Sequence, residues 1–167
     1  MKLRYTTNHD ESAWEGTPVQ FFGGTTGALS ASAVTLFISA VPLLYDGQEV
    51  GRSSLLPFFT RDPIQWNDNP EMLTVYQKLM HIYNETDVFK KGALQSFNNP
   101  DVAIFTKSFG NETYLVIVNV RNGSREITLD ESLQNTSWND RLSDTSISLA
   151  DKLALPAYGY MILKKNI

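Results

Sequence analysis

Up to about residue 92 the apolar positions recur at helical spacing between short continuous runs, and beyond it they alternate with polar ones. The opening run, residues 3–7, holds Tyr5, Thr6 and Thr7, the aromatic and β-branched types that strands favour, and it stops at Asn8, His9, Asp10 and Glu11. A strand therefore ends where a polar cluster begins. GALSASAVTLFISAV, residues 27–41, is apolar or small on nearly every side, which predicts a helix buried among neighbours. PLLY, residues 42–45, predicts a short parallel strand covered on both faces and opened by Pro42, where a missing N–H is tolerable. DGQEVG, residues 46–51, then repeats the change from apolar run to carboxylates and glycines. Residues 52–68, RSSLLPFFTRDPIQWND, have no period and read as a long loop of the functional or mobile kind.

A well-signalled helix follows. Asn69 can cap it, Pro70 suits its first turn and Glu71 complements its dipole, while Met72, Val75, Tyr76, Leu79, Met80 and Tyr83 share one face. Next, DVAIFTKSF and TYLVIVNV flank the turn GNE and predict a hairpin with alternating faces. REITL, KLALP and YGYMILK continue the strand pattern to the end. The first half reads strand, helix, strand, helix, and the second reads all-β. The fold class is thus α/β plus all-β, with the second half a small antiparallel sheet or sandwich.

Composition narrows the functions this pattern can serve. The chain has 167 residues, 42% hydrophobic and 11% aromatic, enough to bury a core of one domain or two small ones. A net charge of −4 offers no broad basic surface, so neither nucleic acid nor an anionic membrane is expected as a partner, and a neutral ligand suits the balance better. The absence of cysteine removes thiolate catalysis and cysteine-bound zinc, and leaves the redox compartment open. The first ten residues lack the apolar core of a signal peptide, and AVTLFISAVPLLY is too short to span a bilayer, so the chain is expected to be soluble without its compartment being given. Four Asn-x-Ser/Thr matches, at Asn84, Asn111, Asn122 and Asn135, would matter only in a eukaryotic secretory protein.

The cluster at residues 8–11 admits two readings. Asn and Asp cap helices and build turns, so a strand-to-helix junction can look like this for structural reasons alone. Asp10 can also accept hydrogen bonds from two neighbouring hydroxyls while His9 donates to a third, which suits a sugar ring, and a carboxylate there favours positive charge developing nearby. A metal site is not expected: the chain has only one other histidine, His81, on the following helix at a position expected to be exposed.

NHD at residues 8–10, a small-residue helix, VPLLYDGQEVG at 41–51, RDPIQW at 61–66, a closing helix and the YGYMILK ending together resemble the carboxyl-terminal portion of the α-amylase family of glycoside hydrolases, family 13. The resemblance covers essentially the whole chain. It implies that residues 1–92 are the last two strand-helix units of a (β/α)8 barrel, a partial barrel, and that residues 93–167 are the β-sandwich domain that follows it. It implies that Asp10 is the third catalytic carboxylate, a stabiliser of the transition state, that His9 binds the same sugar and that Asn8 orients the strand end. Glu49 and Gln48 would shape the floor of the site or merely buttress a turn. Trp66, Phe58 and Phe59 would stack on sugars or merely pack the loop.

Retaining glycoside hydrolysis needs a nucleophile and an acid/base carboxylate about 5 Å apart. The family's motifs for both, and its arginine shortly after NHD, are absent from these residues. The resemblance therefore implies an α-glucan-acting parent enzyme, α-amylase or α-glucosidase in type, whose substrate is an α-glucan or maltooligosaccharide, and a chain that is inactive alone. Family members often carry a structural calcium, but no ligands for it are identifiable here and no cofactor is expected. Two strand-helix units cannot close a barrel, so self-association through residues 1–92 is expected, with 93–167 keeping its fold independently. The competing reading makes the β half a carbohydrate-binding or purely structural module, for which Trp138, Tyr158 and Tyr160 are the available aromatics.

Overall fold

The computed structural model describes residues 2–39 and 41–165. Ala40, inside the predicted helix 27–41, lies outside the described residues, as do the two termini of the predicted halves, Met1 and residues 166–167. Strand β1, Leu3–Arg4, pairs in parallel with β2, Val41–Pro42, Leu3 standing opposite Val41 and Arg4 opposite Pro42. The Val41 N–H donates to the Lys2 carbonyl at 3.1 Å and the Leu43 N–H to the Arg4 carbonyl at 2.8 Å. Pro42 falls between these two donors, so its missing N–H costs no bond to β1. Both strands are shorter than the predicted 3–7 and 42–45, and among the described residues each has a partner on one side only.

Between the two strands run a π-helical turn, Glu11–Glu15, and helices α1, Pro18–Phe21, and α2, Gly24–Phe37. The second helix starts and ends earlier than predicted, but it is buried on several sides as its small, apolar composition requires, with Ala28, Ser32, Ala33 and Phe37 fully enclosed. Helix α3, Pro70–Asn84, begins where the cap chemistry places it: the Asn69 side chain accepts the Met72 N–H at 2.9 Å. Its stripe of Met72, Tyr76, Leu79, Ile82 and Tyr83 is buried, and a short helix α4, Val88–Lys91, follows.

The remaining strands are β3 (Ala93–Phe97), β4 (Val102–Phe109), β5 (Glu112–Asn119), β6 (Arg125–Thr128), β7 (Thr136–Asp140), β8 (Thr145–Leu149), β9 (Lys152–Leu155) and β10 (Tyr160–Lys165). Six form an antiparallel sheet in the order β3-β4-β5-β10-β7-β8, and β6 pairs with β9 separately. The predicted hairpin is β4–β5, closed by Gly110 and Asn111, with Gly110 in the left-handed region at φ 59° that glycine adopts without strain. Strand β5 is buried on both faces from Tyr114 to Val118. Tyr114, Val116 and Val118 pack with Phe105 and Ile162 against α2, α3 and α4. Leu115 and Ile117 pack with Ile104, Leu163, Ile127 and Leu155 on the opposite face. The period of two along β5 thus divides one strand between two cores. One of those cores is shared with the helices of the first half, so the β half alone would leave an apolar sheet face uncovered, unlike the independent unit its strand pattern predicts. No helix among the described residues is long and apolar enough to cross a membrane.

Candidate functional site

The parallel pairing of β1 and β2 sets the polar clusters that follow them, residues 8–11 and 46–49, after the carboxyl ends of neighbouring strands. At the first, Asn8 serves the backbone: its Oδ1 accepts the N–H of Asp10 at 2.9 Å and of Glu11 at 3.0 Å, and its carbonyl accepts the Ser12 N–H at 3.0 Å. Beneath it the Thr7 and Ser12 hydroxyls share a buried 2.6 Å hydrogen bond. With the turn held from below, the next two side chains stand in solvent, His9 61% and Asp10 69% exposed, with Nε2 of His9 3.5 Å from Oδ1 of Asp10. The arrangement offers a carboxylate acceptor and an imidazole side by side on a fixed backbone.

The second cluster is divided by burial. Asp46 is exposed, while Gly47 turns the chain inward at φ 81° and Gln48 is buried. Gln48 Nε2 donates to the Tyr76 hydroxyl at 2.9 Å and to Ser32 Oγ at 3.3 Å, and its Oε1 accepts the Tyr45 N–H at 3.4 Å. Ser32 and Tyr76 are themselves joined at 2.7 Å. Burial pushes the Tyr76 phenol above its ordinary value, and the hydrogen bonds of Ser32 and Gln48 only partly oppose this. Gln48 therefore buttresses the turn instead of forming the floor of a site. Glu49, one residue on, has a carboxylate oxygen, Oε2, that is buried and without a hydrogen-bond partner among the described residues.

The long loop reaches back over the first cluster. Arg52 gathers it, donating to the carbonyls of Ser54 at 3.0 Å and Leu55 at 2.8 Å and to the Asp62 carboxylate at 2.5 Å. The Leu56 N–H donates to the Ser12 carbonyl at 2.8 Å, stitching the loop to the π-helical turn. Phe58 consequently meets His9 edge-on at a centroid distance of 5.9 Å, and also Trp14 at 5.8 Å and Phe59 at 6.0 Å. Trp66 is exposed at the far end of the loop, outside this ring cluster.

Sequence reasoning missed Trp14, the anchoring roles of Ser12 and Arg52, and the Ser32–Gln48–Tyr76 triad. Among the described residues no group of three or more His, Cys, Asp or Glu side chains is placed to hold a metal ion. Of the aromatics available to a carbohydrate-binding module, Trp138 is 2% exposed and Tyr160 packs against the helical core. Tyr158 lies against Gly23 and Gly27 at the start of α2. The three present no common exposed face.

The fold is that of the corresponding part of solved alpha-amylases and of a trehalulose synthase, and the match covers only part of each of those chains. The chain is 26% identical over 146 residues to Alpha-amylase 2 of Dictyoglomus thermophilum, a match covering 80% of this chain and 25% of that protein. It superimposes on the noncanonic maltogenic alpha-amylase AmyB from Thermotoga neapolitana with a TM-score of 0.83 at 23% identity, over 100% of this chain and 41% of that one. For the trehalulose synthase MutB from Pseudomonas mesoacidophila MX-45 the TM-score is 0.73 at 20% identity, over 97% and 42% of the two chains. AmyP, solved with maltotriose, gives 0.70 at 14% identity, over 85% and 35%. No family model matches the chain. The chain thus spans about a quarter of the curated relative and about two fifths of AmyB and MutB.

Proposed function

We propose that residues 1–92 are the last two strand-helix units of the (β/α)8 barrel of a retaining, α-glucan-acting glycoside hydrolase, and that residues 93–167 are the β-sandwich domain that follows it. One observation carries the reading. The parallel register of Leu3 with Val41 and Arg4 with Pro42 sets both polar clusters after the carboxyl ends of neighbouring strands, where such barrels gather their chemistry.

In this reading Asp10 accepts hydrogen bonds from two hydroxyls of the sugar at the cleaved bond, and His9 donates to the same ring. Asn8 contributes by holding the backbone turn that points both side chains outward. As positive charge develops on the sugar carbon, the Asp10 carboxylate is attracted to it more strongly than in the ground state, so its contribution is to the transition state. Glu49 and Trp66 stand at the margins of the substrate site. Bond cleavage requires a nucleophile and an acid/base from earlier barrel strands, so this chain alone binds sugar without hydrolysing it. Solved relatives hold maltotriose, maltose and sucrose, which supports a carbohydrate substrate of the maltooligosaccharide kind.

Calorimetric titration of maltotriose into the chain and into Asp10→Asn tests the reading. Binding that weakens at least several-fold in the variant is expected. Equal binding by both, or none by the wild-type chain, would remove Asp10 from the site.

A further inference from the structure

The turn between β5 and β6, residues 120–124, is held from beneath by the fully buried side chain of Asn119. Asn119 Nδ2 donates to the Gly123 carbonyl at 2.8 Å and to the Pro156 carbonyl at 2.7 Å, while its Oδ1 accepts the Arg121 N–H at 3.1 Å. Both shoulders of the turn are thus fixed. Between them Asn122 is exposed, and among the described residues no hydrogen bond holds its amide or the N–H of Gly123. Asn8, Asn69 and Asn99 differ, since each has its Oδ1 engaged by backbone N–H groups. Asn122 is also the one asparagine in the chain that precedes a glycine.

A glycine without a side chain leaves its peptide nitrogen sterically open to the preceding amide carbon, and because both belong to one chain the attack is intramolecular. The nitrogen gives up its proton and bonds to Asn122 Cγ, and the bond from Cγ to the amide nitrogen breaks as ammonia leaves with a proton. Solvent water then opens the cyclic imide at either carbonyl. One opening gives aspartate, and the other gives isoaspartate, whose main chain runs through the former side chain. Arg125 Nη1 lies 3.1 Å from where a Cβ on Gly123 would stand, so a guanidinium sits beside the peptide nitrogen that must become anionic. We propose that Asn122–Gly123 is a self-modification site, and that isoaspartate there loosens the contact between the β half and α2. The isoaspartate adds a carbon to the main chain between Arg121 and Gly123, the two residues that Asn119 bridges. The Arg121 carbonyl in turn accepts the Tyr158 N–H at 3.1 Å, and Tyr158 lies against Gly23 and Gly27.

The test is prolonged incubation of the wild-type chain, Asn122→Gln and Gly123→Ala at neutral and mildly alkaline pH, followed by peptide mass spectrometry and isoaspartate-specific enzymatic methylation. Gly123 is not in the left-handed region, and a Cβ there would meet only the movable Arg125 guanidinium, so Gly123→Ala keeps the turn. The peptide holding Asn122 is expected to gain about 1 Da, sooner than any other asparagine peptide and faster at the higher pH, with isoaspartate as the main product. Gly123→Ala is expected to slow the conversion about tenfold, and Asn122→Gln nearly to stop it. No conversion at Asn122, faster conversion at another asparagine, or an equal rate in Gly123→Ala overturns the site. Amide exchange followed by NMR reads its consequence. In converted protein the Tyr158 amide is expected to exchange several-fold faster, with the Leu115 and Ile117 amides unchanged. A Tyr158 rate that stays the same after conversion overturns the link to α2.

Discussion

Gln48 and Tyr76 meet in a 2.9 Å hydrogen bond, amide to phenol, inside a pocket closed by Ser32. The turn that follows β2 is thereby bolted to α3 and α2 at once. Tyr76→Phe keeps the ring and its packing but strands the Gln48 amide without its best acceptor. A buried polar group deprived of a partner costs about 1–3 kcal/mol. Tyr76→Phe is expected to lower stability by that amount in urea denaturation followed by circular dichroism, and Ser32→Ala by less, because Gln48 and Tyr76 remain paired.

The two halves are also joined at the end of α3. Arg141, just after β7, donates from Nη2 to both oxygens of Glu85 at 3.1 and 3.0 Å and from Nε at 3.2 Å, and the Tyr114 hydroxyl donates to the same carboxylate at 3.2 Å. The pairing with Glu85 holds the Arg141 guanidinium above its ordinary value. Both side chains are partly in water, so Arg141→Met is expected to cost only about 1 kcal/mol. Its signature is local: faster hydrogen exchange at the last turn of α3 and in the 141–144 turn, with the α2 amides unchanged.

Lys107 on β4 is 2% exposed, and no hydrogen bond or ion pair holds its ammonium among the described residues. Burial therefore drives its pKa below the ordinary value. A lysine whose folded pKa is depressed binds its proton more weakly when folded, so stability rises with pH between the folded pKa and the unfolded value near about 10.4. Lys107→Met removes the penalty. The variant is expected to melt higher than the wild type at pH 7, with the gap narrowing as pH approaches 10; a gap that stays constant with pH would contradict this.

Leu3, Tyr5, Val41 and Phe21 are exposed around a two-stranded sheet whose outer edges have no ladder partner among the described residues. Such edges and side chains invite pairing with another chain. Light scattering over a dilution series is expected to show a mass that rises with concentration, and Leu3→Lys with Val41→Lys to reduce it. A strictly monomeric wild-type chain would contradict this.

What could be seen in the sequence was what local chemistry decides. The Asn69 cap, Pro70 and the stripe of α3 act within two turns of helix, and the β4–β5 hairpin is written in its own alternation and in Gly110. Strand β3 was invisible, because its residues up to Ser96 are exposed and carry no alternation, and β7 was hidden by Ser137, Asn139 and Asp140. Trp138 read as available for ligand contact, yet it sits in the core with its indole N–H donating to Thr136 Oγ1 at 2.7 Å. At the candidate site the polar residues stood out as a motif. Trp14 did not, since its meaning depends on a ring that arrives from residue 58.

We propose above that Asp10 and His9 engage sugar while the carboxylates that break the bond come from other barrel strands. Release of reducing sugar from maltooligosaccharides by the purified 167-residue chain tests it most directly. No release above the uncatalysed background is predicted, under conditions where maltotriose binds and Asp10→Asn weakens that binding. Reproducible hydrolysis by the pure chain, abolished by Asp10→Asn, would contradict the account.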